Sequence, residues 1–440
     1  MPTPAGSSFF VPGVRVKHVG ELQRTSDAGS DIADLALDIV SVKVTRVNHG
    51  TSQYEIVLNN WRDNAREETG GRSWPLHKYN ALDRLFFGQR LRIDMRYWPD
   101  AVDGLSSTAA SAQDWVPMIA GPITDMKFTF SVQEGSRLTI SGEDDLRILK
   151  QKPSSSIPHR GQNEQAMIQA SLTQCGFPLP LADPRIPLPA FFTQPADSLA
   201  RAHEDSQTYY QYLEGIATDY DLEMFLEFQS LSDPASPIEF HLEPARSRIP
   251  PGQELRDVYR LEQASNLLDF TPTFKVLDQV SSVTVRGRHR ERSRPERVEQ
   301  TVPSSILDDE LHTDPALDDP PLVPGPDVRQ HYYSAYGPNE DRNNNTTNTD
   351  EQRARSKAES KLRRSAREFL TITGQTIGLP HLRAGVHIEI RKLRAPFDGF
   401  YYLTQTVHEF TSNGFTTTFT GRRPGMPLPP FPGDTGAATP

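Results

Sequence analysis

The sequence contains few of the residues and motifs from which catalytic and metal centres are built. It has one cysteine, Cys175, in 440 residues, which excludes an intrachain disulfide framework and is typical of a protein made in a reducing compartment. There is no His-Glu-x-x-His, no Cys-x-x-Cys and no phosphate-binding glycine loop. The serine within 70–74 (GGRSW) also lacks the nucleophile-elbow pattern of hydrolases. The sequence therefore predicts a protein that is not an enzyme and binds no cofactor or metal.

Long apolar runs are missing as well. No window approaches 18 consecutive apolar residues, the length that crosses a bilayer, and the N-terminal MPTPAGSSFFVPG lacks the basic and apolar regions of a signal peptide. The net charge of -10 argues against a dedicated nucleic-acid binder. We therefore expect a protein that is made in the cytoplasm without a signal peptide and reaches any other location by assembly.

The acidic residues and histidines do not fall at the spacing of known ligand sets. The segment 203–205 (HED) offers a metal ligand or an acid–base pair, and the acidic runs 308–310 and 318–319 offer calcium ligands. None of them has the spaced carboxylates and central glycine of a calcium-binding loop. We interpret all three as solvated, charged loops.

Strand patterns dominate both ends of the chain. Residues 38–47 alternate apolar and polar side chains, and a polar turn at 48–52 leads into a second alternating run, 53–58. A further strand pair is predicted at 121–132 and 136–141. At roughly 150 residues per domain, the length predicts three units, which we place at 8–150, 151–265 and 266–423.

The middle unit differs from the other two because helix patterns appear. Apolar spacing predicts a helix at 163–173 that ends before Gly176, and a second at 207–219 capped by Ser206. A strand at 223–228 follows. We therefore expect an α+β unit here.

The last unit returns to strands but contains a long insertion. A strand is predicted at 280–286, and 288–350 is rich in proline and charge, so we expect it to be irregular, with a linker at 339–350. A helix at 351–370 carries one apolar stripe. The tail, 424–440, is rich in proline and predicted to be extended.

Glycine spacing indicates that the first and last units are duplicates. The frame Gly121–Gly135–Gly142 resembles Gly399–Gly414–Gly421, since the second spacing is identical and the first differs by one residue. Glycine recurs where a chain turns with positive φ or lets another backbone approach. The strand runs 41–47 and 281–287 precede these frames in the same order, which supports the match.

The fold class predicted from these patterns is mainly β with an α+β insert. Two duplicated small antiparallel β-barrel domains, similar to tail-tube domains, flank a helix–strand middle domain. Chance similarity between hairpins is the competing explanation. The residues that we expect to mark barrel turns or interfaces are Gly88, Gly121, Gly135, Gly385, Gly399, Tyr401, His408, Gly414 and Gly421.

One basic stretch, 286–297 (RGRHRERSRPER), is a candidate for nucleic-acid binding. Glutamates interrupt it, it has no aromatic residue to stack on bases, and an acidic segment follows. A solvated hairpin tip or a subunit contact is therefore the preferred interpretation.

Taken together, motifs over most of the chain resemble the hub proteins of contractile phage tails. This family includes the late control protein D family, the trimeric baseplate hub of T-even phages and the hub portion of VgrG spikes of type VI secretion and extracellular injection systems. The motif 87–93 with 119–123 is similar to one of its recurring runs, and 206–228 resembles its central helix–strand unit. Phe397, Asp398, Gly399, Tyr401 and His408 match its most distinctive piece, fdG-x-Y-x-v-x-x-v-x-H.

The resemblance implies a structural baseplate hub in a virion tail or injection particle. Three copies would form a homotrimer with pseudo-sixfold symmetry, which adapts a hexameric inner tail tube protein to a trimeric spike. No spike repeat follows residue 423, so a separate spike protein is expected, with baseplate or wedge proteins as further partners. A tail-associated cell-wall hydrolase and a nucleic-acid- or carbohydrate-binding β-protein are the alternatives.

Overall fold

The protein is described here from a computed structural model. The described residues are 13–20, 30–32, 35–69, 72–96, 115–131, 133, 135–150, 163–177, 192, 207–230, 236–244, 258–289, 296–310, 322–333, 339–347 and 350–427.

Nine strands and a short helix make up the first unit. Alternating burial along its longer strands follows the alternation of the sequence, which places apolar side chains on one face of the sheet. In chain order the elements are β1 (Gly13–His18), β2 (Ser30–Asp31), α1 (Leu35–Asp38), β3 (Ile39–Val47), β4 (Gln53–Asn59), β5 (Trp61–Thr69), β6 (Arg72–His77), β7 (Arg90–Arg96), β8 (Val116–Ser131) and β9 (Gly135–Glu143).

The middle unit is the predicted combination of helices and strands. Its elements are α2 (Glu164–Gln174), α3 (Tyr209–Tyr220), β10 (Leu222–Phe228) and β11 (Ile238–Pro244). Helix α2 begins after Asn163, whose side chain accepts from the backbone of the first turn. The predicted cap of α3, Ser206, is wrong by two residues, because Thr208 forms a reciprocal capping box with Gln211.

The last unit contains most of the remaining strands. Its elements are β12 (Tyr259–Glu262), β13 (Leu267–Phe274), β14 (Ser282–His289), β15 (Glu296–Pro303), β16 (Leu322–Pro324), α4 (Gly325–Tyr332), β17 (Glu340–Thr347), α5 (Glu351–Arg367), β18 (Leu370–Ile377), β19 (His387–Arg391), β20 (Gly399–Thr411), β21 (Gly414–Arg423) and β22 (Gly425–Pro427). The predicted extended tail begins at β22, and residues 428–440 lie outside the described part of the chain.

Thirteen of the strands form one sheet that spans the first and last units. Its main path is β13-β18-β21-β20-β3-β4-β9-β8-β7-β1-β2. In addition, β19 pairs with β20, and β12 pairs with β19. The two units join where β20 pairs antiparallel with β3, from Gln405 opposite Val47 to Thr411 opposite Ser41. The fold is therefore mainly β, as predicted.

The predicted irregular insertion is wrong. Strands β14, β15 and β17 form a separate three-stranded sheet, in which β17 runs parallel to β14 along the segment predicted to be a linker. Alternating valines of β14 and β15 pack against the apolar stripe of α5. The dense charges of this segment conceal that two-residue alternation, which here builds a small core of its own.

The first and last units share one strand topology. The order is β3-β4-β9-β8-β7-β1 in the first unit and β13-β18-β21-β20-β19-β12 in the last. Each strand thus has a counterpart that comes at the same place along the chain. The outermost pairs differ, since β1 is antiparallel to β7 whereas β12 is parallel to β19. The strand at 281–287 is not the counterpart of 41–47, because β13 takes that place.

Pairing irregularities fix the match between the units residue by residue. One β-bulge occurs at the same place in β3 and β13, and a second at the same place in β8 and β20. The bulged positions are Ile39/Ser41 and Leu267/Asp269 for the first, and Ile123/Asp125 and Leu403/Gln405 for the second.

Gly88 and Gly385 are counterparts just before β7 and β19. The N–H of Gly88 donates to the carbonyl of Ile123 (3.0 Å), and that of Gly385 donates to the carbonyl of Leu403 (2.7 Å). Both glycines have positive φ, 79° and 86°. Because Ile123 and Leu403 are themselves matched by the bulges, the two loops are equivalent.

The proposed match of Gly121 with Gly399 is wrong by two residues. Gly121 lies opposite Leu91, and Tyr401 lies opposite Ile388 at the equivalent place in the last unit. Gly121 therefore corresponds to Tyr401. The two glycines also serve different purposes: Gly399 adopts φ of +119°, whereas Gly121 lets the backbone of the next strand approach.

We predict that Gly121→Ala destabilises the protein by about 3 kcal/mol or more. A Cβ at Gly121 would lie 1.9 Å from the carbonyl oxygen of Glu143, so the two strands would have to separate. Gly135→Ala is the control, because its Cβ would meet nothing within 4 Å and only its positive φ is strained, at about 1–2 kcal/mol. Urea unfolding of both variants measures the difference, and equal losses would contradict the close approach.

Candidate functional site

Three parts of the chain meet at the carboxylate of Glu227, near the end of β10. Arg46 from β3 donates to one of its oxygens (Nη2–Oε2, 3.0 Å), and Arg383, in the loop before β19, donates to the other (Nη1–Oε1, 2.7 Å). The exposed fractions of the three side chains are 14% for Glu227, 6% for Arg46 and 4% for Arg383. One largely buried carboxylate from the middle unit thus bridges two buried arginines from the first and last units.

Backbone carbonyls satisfy the remaining donors of the two arginines. Arg46 donates to the carbonyls of Met118 and Leu226, the latter at 3.1 Å. Arg383 donates to the carbonyl of Pro117 at 2.5 Å. Because both guanidinium groups bind the same carboxylate, they lie close together. Buried charges are tolerated when they are paired and hydrogen-bonded in this way.

A second carboxylate of β10, that of Glu223, makes a similar connection. It accepts hydrogen bonds from the amide of Asn48 after β3, from the hydroxyl of Tyr402 in β20 and from Arg422 in β21 (3.4 Å). Glu223 and Glu227 lie on the same face of β10, since side chains alternate along a strand. The middle unit is therefore held against both β-units by two carboxylates.

His408 is buried beside the two arginines. Its Nδ1 lies 3.1 Å from the hydroxyl of Thr417. Burial, followed by the positive charges of Arg383 and Arg46, lowers the pKa of His408 to about 3. The imidazole is consequently neutral in the folded protein at ordinary pH.

Asp144 lies near Arg46, between β9 and a 3-10 helix at Asp145–Lys150. Its carboxylate accepts from the backbone N–H groups of Ser52 (2.9 Å) and Leu146 (3.2 Å). Complete burial raises its pKa to about 7, although these hydrogen bonds act in the opposite direction. Asp144 fixes where the first unit ends and the chain turns towards α2.

The arrangement joins three units of the chain through charge-assisted hydrogen bonds. Within the described ranges, no group of three or more His, Cys, Asp or Glu residues is placed to hold a metal ion. The same residues contain no helix long and apolar enough to cross a membrane. Because Glu227 joins arginines of the first and last units, we call this set the ionic junction: Arg46, Glu227, Arg383 and the carbonyls of Pro117 and Met118.

Several residues expected to mark turns do adopt turn geometry. Gly135 and Gly414 begin β9 and β21 with φ of 80° and 130°. Tyr401 is buried and donates to the carbonyl of Phe397 (2.7 Å), while the guanidinium of Arg423 stacks on its ring. Their part in an interface between subunits stays a prediction.

Two other candidates lie closer to the chain's own core than to any outer surface. Gly421 is buried in β21, where a Cβ would come 2.9 Å from the carbonyl of Tyr402. His408 has no exposed surface.

The basic stretch forms part of the small three-stranded sheet. Arg286 of β14 and Arg297 of β15 both bind Glu299, at 2.8 and 3.1 Å. Residues 290–295 and the segment 203–205 lie outside the described part of the chain, as do 318–319 and the side chains of 308–310.

The residues of the ionic junction were not predicted from the sequence. Glu223 and Glu227 are four residues apart in an otherwise apolar strand, so both lie on one face of it. This spacing is the one indication of the site in the local sequence. Arg46 and Arg383 are ordinary arginines in sequence, and only the fold brings them together.

Comparison with known proteins identifies the fold. No model of a protein family matches the chain, and no curated protein is similar to it. The 43 kDa tail protein of prophage MuSo2 from Shewanella oneidensis is 11% identical with a TM-score of 0.58, covering 94% of this chain and 98% of that one. A tail protein from Neisseria meningitidis MC58 is 11% identical with a TM-score of 0.55, covering 94% and 97%. The fold is that of phage tail proteins. The fold that the resemblance implies is thus confirmed.

We predict that Glu227→Gln destabilises the protein by about 3–5 kcal/mol, because two buried arginines lose their shared carboxylate. The control is Glu340→Gln, whose partner Arg342 is 59% exposed; this loss should stay below about 1 kcal/mol. Urea unfolding followed by tryptophan fluorescence measures both. Similar losses in the two variants would show that the bridge contributes no more than a surface pair.

We predict that His408→Gln changes the pH dependence of stability. The unfolded chain binds a proton at His408 below pH 6.5, whereas the folded chain binds it only near pH 3. His408 therefore lowers the free energy of unfolding as the pH falls through this window. Relative to the unsubstituted protein, His408→Gln should gain stability between pH 7 and pH 4, measured by urea titration at fixed pH.

Asp144→Asn provides a control of opposite sign for that experiment. The folded chain keeps the proton of Asp144 up to about pH 7, so this group lowers stability as the pH rises from 3.8. Asp144→Asn should accordingly gain relative stability towards neutral pH. Parallel curves for both variants and the unsubstituted protein would contradict the two assignments.

Proposed function

We propose that this protein is the structural hub of a contractile phage tail or a phage-tail-like injection particle, and that three copies close into a ring of pseudo-sixfold symmetry. The likeness to tail proteins in fold supports a role in a tail or baseplate. The two topologically equivalent β-units in each chain support the ring, because three chains then supply six similar units.

The observation that carries the proposal is the pair of unused strand edges. Within the chain, the second half of β20 pairs with β3, while its first half pairs with β19. The counterpart of the second half of β20 is the second half of β8, and the counterpart of β3 is β13. Neither has a further partner strand among the described residues, since 125–131 of β8 pairs with β9 alone and β13 with β18 alone. Unpaired edges of this kind are templates for another chain.

The equivalence of the units predicts the register of the contact between copies. If β8 of one copy pairs with β13 of the next as β20 pairs with β3, Asp125 lies opposite Lys275, and Phe130 lies opposite Phe270. Opposite charges and aromatic pairs across strands are favourable. Pro272 supplies no N–H, so this ladder has at most one hydrogen bond fewer than the one within the chain.

The ring assigns a place to each expected partner. A pseudo-sixfold ring matches the hexameric inner tail tube protein, and its true threefold symmetry matches a separate trimeric spike protein. Baseplate or wedge proteins would surround the ring. No observation on the described residues favours a cell-wall hydrolase or a nucleic-acid- or carbohydrate-binding protein over this reading, and the basic stretch is partly neutralised by Glu299.

A cysteine cross-link tests the ring. In a Cys175→Ser background, Thr129→Cys with Thr271→Cys places two thiols on directly opposite residues of the proposed contact, at a distance that a disulfide can span. Mild oxidation should give covalent species that stop at three chains on a non-reducing gel. Thr129→Cys with Thr373→Cys is the matched control, because Thr373 lies one strand further into the sheet. Single chains only, or a ladder that continues beyond three, would contradict the proposal.

A further inference from the structure

In the proposed ring, on which this inference rests, the contact between copies uses different side chains from the equivalent contact within the chain. The matched bulges make Arg46 in β3 the counterpart of Phe274 in β13, since each lies five residues after the second bulge residue, Ser41 or Asp269. The matched glycine loops make Arg383 the counterpart of Phe86, since each lies two residues before its positive-φ glycine. Both arginines of the ionic junction thus correspond to phenylalanines in the other unit.

Phe274 is the last residue of the edge strand β13 and Phe86 lies in the loop before β7, and both are incompletely buried. Phe274 is 36% exposed and Phe86 is 46% exposed. The loop that carries Phe86 is held in shape, because the N–H of Phe86 donates to the side chain of Gln89 (3.2 Å) and Gly88 is bound to Ile123. The ring of Phe86 therefore projects from a fixed loop.

Phe274 belongs to a small aromatic group that occupies the place of the carbonyls in the ionic junction. Its ring lies 5.6 Å from that of Phe369 and 6.0 Å from that of Phe397, centroid to centroid. Phe397 is the counterpart of Pro117, whose carbonyl binds Arg383 within the chain. An apolar platform thus stands where the other unit presents hydrogen-bond acceptors.

The difference follows from what the middle unit supplies. Within the chain, Glu227 provides the negative charge that two buried arginines need. Burying two arginines without such a carboxylate would be costly, whereas aromatic rings gain free energy from burial and from edge-to-face contacts. In the counterpart positions of the other unit, aromatic side chains replace the two arginines.

We infer that Phe86 of one copy packs against Phe274 and Phe397 of the next copy, so that an aromatic junction between copies takes the place of the ionic junction within each chain. Phe87 is 59% exposed, while its counterpart Ala384 is 4% exposed, which indicates that the whole Phe86 loop becomes covered. The partner of this exposed apolar surface is a second copy of the same chain.

Charge substitution tests the contact in the full-length chain. Phe86→Glu alone should raise the concentration at which half of the chains are associated by at least about tenfold, as expected for a central aromatic anchor. Phe86→Glu combined with Phe274→Arg should restore association. The restored assembly should dissociate in 1 M NaCl, where surface charges are strongly screened, whereas the unsubstituted assembly should not. Light scattering over a concentration series measures all three.

Leu37→Glu is the control, because Leu37 is 84% exposed and lies outside the proposed contact; it should leave association unchanged. A photoreactive p-benzoylphenylalanine at position 86 provides a readout that does not depend on the folding of the Phe274→Arg variant. It should cross-link to 270–276 or 397 of another chain.

The possible failures can be told apart. If the Thr129→Cys and Thr271→Cys variant gives the three-chain product but Phe86→Glu associates normally, the aromatic junction is wrong and the ring is still supported. Photocross-links from position 86 to segments of the other copy away from 270–276 and 397 lead to the same conclusion. If the unsubstituted chain stays monomeric and the cysteine pair gives no cross-link, the ring itself is wrong.

Discussion

The shared carboxylate of Glu227 is the interaction on which the arrangement of the whole chain depends. A sheet that crosses from one unit to another through β20 and β3 could twist at this point, because a strand pair by itself is a flexible joint. Two arginines fixed to one carboxylate and to adjacent carbonyls of β8 restrict that freedom. The low dielectric of the interior strengthens the attraction and makes the loss of any partner costly.

Two equivalent β-units in one chain make one contact with each other and leave the equivalent strand edges unpaired. A unit that pairs with a copy of itself always leaves one edge unused on each side, and closure into a ring is one way to satisfy both. The chain makes one of these contacts internally, where the middle unit supplies charge. At the equivalent positions on the unpaired side, phenylalanines stand in place of the arginines, at Phe86 and Phe274, and both are partly exposed.

Helix α5 connects the middle and last units. It carries Arg353, which binds the buried Glu164 of α2 at 3.2 Å, and Arg367, which binds Asp221 after α3 through two hydrogen bonds of 2.7 and 2.9 Å. The opposite face of α5 covers β14 and β15. Helix α5 therefore helps to fix the position of the middle unit, and with it the position of Glu227.

Local patterns determined the elements, and only long-range pairing decided their arrangement. The alternation of β3, β4, β9 and β21 was evident in sequence because the side-chain period of a strand is a local property, and the turns at Gly88 and Gly385 were evident because positive φ selects glycine. The match of Gly121 with Gly399 failed, because strand pairing, which glycine spacing does not reveal, places Gly121 at the position of Tyr401. Arg46 and Arg383, more than 300 residues apart, acquire a common function only when β20 pairs with β3 and brings both to Glu227.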